Sequence, residues 1–327
     1  MFYGSPMPPV DRNQPKRNQA TESGYSFMEF VREFPDDEAC LNWLWRARFS
    51  EDGETAHCER CAKPRTFKRY ATSDKRPAWY CSACGFRVHP LKGTIFEKSS
   101  TSLQLWFFAM YVMASTRCGI SAKQLERELG VTYKTAWRMF TLIRNQLMAD
   151  NGGPLSGEVE ADETLLGGRI RNDARRKRDA MGWSPKRWDQ EHKTMVFAAV
   201  ERDGRVRAQV IPNSSGPTLR AIVARNVDPG SVLYTDEWGG YRSLRDTYEH
   251  RTIRHRDRVY VDGSTHTQTI DGFFGLLKNA LRGVHHGVSD KWLQGYLNEY
   301  AWRYNNRGRR NSMFRDLLNE AASKPLL

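Results

Sequence analysis

Three aspartates stand in local patterns that could act together: Asp162 in V-E-A-D-E-T, Asp236 in L-Y-T-D-E-W and Asp271 in T-I-D-G-F-F-G-L-L-K. Carboxylate oxygens are preferred ligands of hard divalent ions such as Mg²⁺ and Mn²⁺. Two such ions, about 3.5–4 Å apart, stabilise both the attacking and the leaving oxygen when a phosphodiester is displaced in line. Isolated aspartates are usually solvated or cap helices, so the chemistry rests on the ordered combination. Asp162 is expected on a central strand. Asp236 follows the apolar run Val232-Leu233-Tyr234, at the carboxyl end of a short buried strand, where open α/β sheets place ligands. Asp271 opens a helix whose apolar positions include Phe273, Phe274, Leu277 and Leu281. Lys278, two turns further on the same face, would hold a DNA phosphate beside a metal.

A second constellation is made of sulfur. Cys58 and Cys61 form one C-x-x-C pair, and Cys81 and Cys84 form another. Four thiolates in paired knuckles suit one tetrahedral, structural Zn²⁺. Gly85 supplies the tight turn that follows the second pair. The alternative is four reduced structural cysteines. A ribbon this small has little core, so metal would supply most of its folding energy. His57 and His89 read as surface or phosphate-contacting residues, and Cys40 and Cys118 as core residues.

Downstream, S-A-K-Q-L-E-R-E-L-G-V-T-Y-K-T-A-W-R-M-F has helix-turn-helix proportions. Ser121 to Gln124 reads as a capping box, Gly130 as a helix stop and Thr132 as the next cap. Tyr133, Lys134 and Arg138 would then face DNA at the recognition end. Helical hairpins with such a turn also occur without DNA. Residues 169–193 form a basic stretch, including Arg175, Arg176, Lys177 and Arg178, that either closes on DNA or is merely solvated.

These motifs need several domains to carry them, and 327 residues provide enough chain. Residues 1–25 read as a disordered tail, 26–56 as a short helical segment and 57–98 as a zinc ribbon. Residues 99–150 read as DNA-binding helices, 155–310 as a catalytic domain and 311–327 as a C-terminal helix or tail. Strands are expected at Gly157–Leu166, Thr194–Arg202, Val206–Ile211, Ser231–Thr235 and Thr252–Val261, with a hairpin at Asp203-Gly204. Helical segments are expected at Pro217–Asn226 and Gly240–Tyr248. The fold class is therefore α+β and multidomain: an N-terminal zinc ribbon, a helix-turn-helix, then a mixed β-sheet flanked by helices, as in the RNase H-like fold.

Composition agrees with a polyanion as partner. Lys and Arg number 51 against 38 Asp and Glu, a formal net charge of +13. Paired C-x-x-C spacing argues against a secreted disulfide framework. The N-terminus lacks the apolar run of a signal peptide, and Leu105 to Ala114 is too short to span a bilayer. A reducing cytoplasmic setting, associated with the nucleoid and without membrane, is expected.

Together these residues resemble the DDE transposases of bacterial insertion sequences, in the group with an N-terminal zinc ribbon. The pattern E-x-D-E-T-x-x-G-G is met by Glu160, Asp162, Glu163, Thr164, Gly167 and Gly168, and T-D-E-x-x-x-Y by Thr235, Asp236, Glu237 and Tyr241. The pattern H-T-N-T-I-E-G-F-F-x-x-L-K is met by His266, Thr267, Thr269, Ile270, Gly272, Phe273, Phe274, Leu277 and Lys278. Gly283, His286, Val288 and Ser289, then Arg303 to Arg307, complete the match. Asp271 stands where that family normally has Glu, one methylene longer. The resemblance implies double-stranded DNA as partner, both element ends and target, and a homodimer or higher oligomer on it. It also implies two Mg²⁺ or Mn²⁺ ions on Asp162, Asp236 and Asp271, with Lys278 and His266 positioning phosphate. Two other readings are a catalytically weakened DNA-binding regulator derived from such an enzyme and a related nuclease that cuts without joining.

Overall fold

Two short helices begin at side-chain caps. In the computed structural model, which describes residues 25–70, 77–116, 118–150, 152–167, 172–184, 193–253, 261–262, 265–308 and 313–323, α1 (Phe27–Glu33) starts at a full capping box. Ser26 accepts from the Glu29 amide, and Glu29 accepts from the Ser26 amide at 2.7 Å. Pro35 separates it from α2 (Asp37–Arg48), capped by Asp36. The proposed tail, residues 1–25, lies outside the described residues except for Tyr25.

A four-stranded antiparallel sheet follows, made of β1 (Thr55–Cys58), β2 (Lys63–Tyr70), β3 (Ala78–Cys81) and β4 (Arg87–Val88) in sequential order. It rests on α2 through Trp45, which stacks on Trp79 with ring centres 4.7 Å apart. Next come α3 (Leu103–Ser115), α4 (Ala122–Leu129) and α5 (Tyr133–Leu142), the last running into a π-helical turn at Ile143–Leu147. Ser121 accepts from the Gln124 amide at 3.1 Å, but the Gln124 side chain donates forward to Glu128. The expected capping box is therefore only half formed, because an acidic acceptor one turn ahead captures the amide. Gly130 ends α4 in the left-handed region, φ 62°. Cys118 corrects a second expectation: it is exposed in the turn between α3 and α4, whereas Cys40 is buried.

The second half is a five-stranded mixed sheet. Its strands are β5 (Glu158–Leu166), β6 (Thr194–Glu201), β7 (Val206–Ile211), β8 (Val232–Thr235) and β9 (Glu249–Thr252), in spatial order β7-β6-β5-β8-β9. β5, β6 and β7 pair antiparallel; β8 pairs parallel with both β5 and β9. Helix α6 (Asn172–Ala180) lies between β5 and β6 in sequence. Helix α7 (Gly216–Asn226) and a 3₁₀ segment (Gly239–Asp246) flank β8. A short hairpin of β10 (Val261–Asp262) and β11 (Thr265–His266) leads into α8 (Gln268–Gly283), α9 (Asp290–Asn305) and α10 (Met313–Ser323).

Alternation along the strands sorts two cores. Val159, Ala161, Phe197, Ala199 and Leu233 face α7 and the 3₁₀ segment, burying Leu219, Val223, Tyr241 and Leu244. Val196, Ala198, Val200 and Val206 face α8 and α9, burying Ile270, Phe273, Leu277 and Leu297. β6 is apolar at every interior position because both its faces are covered. A third core fills the N-terminal half, and α10 returns to it: Phe314 meets Tyr25, Phe30, Phe34 and Tyr111. Among the described residues, no helix is long and apolar enough to cross a membrane.

Candidate active site

The register of two parallel strands brings the first two aspartates together. Glu160 of β5 pairs with Tyr234 of β8. Extending that register by two residues sets Asp162 beside Asp236, at the carboxyl ends of both strands. Val159 and Ala161 belong to the α7 face, so Asp162 points to the α8 face, where Asp271 occupies the first turn of that helix. Glu163 turns the other way, and its carboxylate accepts the hydroxyl of buried Tyr241. Asp236 accepts from the Trp238 amide at 2.9 Å, which fixes the turn leaving β8.

These acids feel one another. Burial pushes the Asp162 carboxyl up to about 8, and the charges of Glu163, Asp236 and Asp271 add to it. The Glu163 amide, 2.8 Å from Asp162 Oδ1, opposes the shift. Burial likewise raises Glu163 to about 7, with Asp236 contributing and the Tyr241 hydrogen bond opposing. Tyr241 itself is held well above the ordinary phenol range by burial and by Glu163. A hard cation among these carboxylates would relieve both desolvation and repulsion, so the donor set suits Mg²⁺ or Mn²⁺. Among the described residues, no three carboxylates have oxygens all within 4.8 Å of one another.

The remaining predicted residues are distributed around this centre. Lys278 is half-buried two turns along α8, its ammonium 5.6 Å from the Phe274 ring centre. His266 points its Nδ1 at buried Glu160, 3.1 Å away. On α5, Tyr133, Lys134 and Arg138 are exposed; Tyr133 stacks on Trp137, and the Arg138 guanidinium lies over Trp106. On α6, Arg175, Arg176 and Lys177 are exposed, while Arg178 pairs with Asp179 at 2.7 Å.

The four cysteines do converge. Sulfur atoms of Cys58, Cys61, Cys81 and Cys84 all lie within 4.8 Å of one another. Tetrahedral Zn–S bonds of roughly 2.3 Å require sulfurs roughly 3.8 Å apart, so the cage fits. Burial raises the Cys81 thiol, but amides of Cys84 and Ala83 outweigh it and bring it down to about 7. Ala62 and Gly85, each following the second cysteine of its pair, take φ of 53° and 72°. His57 and His89 are exposed and stand outside the cage.

Sequence reasoning gave no role to Glu160, Glu163, Tyr241 or Arg202, although the first three fell within motif matches. A buried acid among apolar strand residues was the available signal.

Residues 154–305 match the ISXO2-like transposase domain. This region belongs to the ISXO2-like transposase family. Among curated proteins, an uncharacterized protein in transposable element ISH50 of Halobacterium salinarum is 28% identical over 281 residues, covering 84% of this chain and 92% of that protein. An uncharacterized transposase-like protein of Haemophilus influenzae is 29% identical over 103 residues, covering 31% of this chain and 82% of that one. Among solved structures, the simian T-cell lymphotropic virus intasome in complex with PP2A regulatory subunit B56 gamma is 13% identical, with TM-score 0.27, covering 54% of this chain and 63% of that chain. The transposase match spans every strand of the five-stranded sheet and both helices, α8 and α9, on its second face.

Proposed function

We propose that this transposase binds the terminal inverted repeats of an insertion sequence and cuts and joins DNA strands at Asp162, Asp236 and Asp271. The observation that carries the reading is the β5–β8 register, which sets Asp162 beside Asp236 where α8 delivers Asp271. Three antiparallel strands followed by two parallel ones, with helices on both faces, support an RNase H-like fold for this half.

A pair of Mg²⁺ or Mn²⁺ ions held by the three aspartates would activate the nucleophile and stabilise the leaving oxygen. Glu163 and Tyr241 hold each other on the opposite face and keep that strand end rigid. Lys278, on the Asp271 helix, offers an ammonium to the phosphate beside the acids. Cys58, Cys61, Cys81 and Cys84 would hold one structural Zn²⁺, and the α4–α5 pair would present Tyr133, Lys134 and Arg138 to the repeat. Transposition joins two element ends, so the active species is at least a dimer on DNA.

Incubating the purified chain with a labelled element end and Mn²⁺ tests the reading. Cleaved and joined products are expected, and both should vanish in Asp236→Ala and Asp271→Ala. Binding without cleavage would instead identify a regulator, and cleavage without joining a nuclease.

A further inference from the structure

Glu160 lies on β5 two residues before Asp162 and is fully buried. Its Oε2 accepts the backbone amides of Thr269 at 2.8 Å and Ile270 at 3.1 Å. Its Oε1 accepts the Thr269 hydroxyl at 3.0 Å and Arg202 Nε at 2.9 Å. His266 Nδ1 is also 3.1 Å from Oε1, though outside hydrogen-bonding geometry. Arg202 is fixed in turn: it donates to the His266 carbonyl at 3.1 Å and lies 4.0 Å from the Tyr234 ring centre. The Tyr234 hydroxyl, on β8, donates across to Glu158 of β5.

First-turn amides of a helix have no partner within the helix, and the positive end of its dipole favours an anion. Here a carboxylate from a neighbouring strand takes two of them. Those amides immediately precede Asp271. One side chain therefore ties the residues just before Asp271 to the strand that bears Asp162.

We propose that Glu160, with Arg202 as its counter-ion, is a positioning residue that sets where Asp271 stands relative to Asp162. It touches neither substrate nor metal and acts through the first turn of α8. The role rests on the three aspartates being divalent-ion ligands, as proposed above.

Glu160→Gln in the full chain tests it, because the amide keeps the shape but turns an N–H toward donors at one end. Hydrogen exchange at Thr269 and Ile270 should quicken about five- to tenfold, as for a lost helix cap. Mn²⁺ affinity, measured by calorimetry, should fall about tenfold or more, as when a ligand loses its outer support. Exchange in β6 and α9 should not change. Wild-type exchange at Thr269 and Ile270, unchanged Mn²⁺ affinity, or a uniform rise in exchange across the chain would each overturn the proposal. If Glu160→Gln does not fold, Thr269→Val removes only the hydroxyl donor. That variant should shift both readouts the same way, about twofold, and no shift would overturn the proposal. Mn²⁺ binding that survives Asp236→Ala would sink the metal reading itself. Mn²⁺ binding that is lost in Asp236→Ala but unchanged in Glu160→Gln would sink the positioning role alone.

Discussion

A carboxyl raised by burial and by like charges leaves a signature in stability. Asp162 at about 8 and Glu163 at about 7 keep protons that the unfolded chain has already released. Between roughly pH 4 and pH 8 the native state thus binds more protons, and stability falls as pH rises through that window. Removing one repelling charge should reverse part of the loss. Without added divalent ion, Asp236→Asn is expected to melt above wild type at about pH 8, by the equivalent of about 1 kcal/mol, with little difference at about pH 5. Added Mg²⁺ should raise wild-type melting more at the higher pH, where the ligands are deprotonated, and leave Asp236→Asn unmoved. Thermal denaturation at the two pH values checks both; a wild type insensitive to pH would mean that these acids do not interact.

Elements that bury both faces were legible in the sequence, and elements defined by their partners were not. The run M-V-F-A-A-V announces β6 because no position in it meets water, and the apolar period of Ile270 to Leu281 announces α8. β9 is Glu249–Thr252 and meets the strand expected from Thr252 to Val261 only at Thr252; residues 254–260 of that stretch lie outside the described residues, and Val261 opens β10. An edge strand of half-exposed polar residues owes its place to pairing with β8, which no periodicity reveals. The acids at strand ends and a helix start were legible, but Glu160 was not, since its four donors come from β6's exit turn and α8. The same holds where the two halves meet. Glu299 of α9, fully buried, takes Arg144 from the π-helical turn at 2.5 Å and Arg303 at 2.8 Å. Burial raises its carboxyl, yet the two guanidinium groups outweigh this and hold it down to about 2. Glu299→Ala would leave the buried Arg144 and Arg303 guanidinium groups without their shared counter-charge, costing about 3–5 kcal/mol. Urea denaturation should show that loss, with Glu299→Gln losing less; an equal loss in both variants would mean packing, not charge, holds the junction.

At the scale of the whole molecule, the first and last described elements close one core. Phe314 sits among Tyr25, Phe30 and Phe34, and Arg315 pairs with Glu33 at 2.5 Å, so α10 ties the end of the sheet half back to α1. Arg144, in the turn that continues α5, and Glu299 of α9 make a second tie between the two halves, as the proposed binding and cutting of one DNA molecule would require. The net charge of +13 then acts as a directed field only if exposed cations line one path. On α6, Arg175, Arg176 and Lys177 are exposed and lie, in sequence, between β5, which bears Asp162, and its neighbour β6. If each neutralises one phosphate, replacing all three with Ala should flatten the slope of log K against log salt by about 3, with little change in sequence preference. Lys134→Ala on α5 should flatten it by about 1 if that ammonium, too, neutralises one phosphate. Fluorescence anisotropy with a duplex across a salt series measures both. An unchanged slope in the triple variant would leave α6 as a solvated basic helix and confine the DNA path to α5 and the face of α8 that bears Lys278.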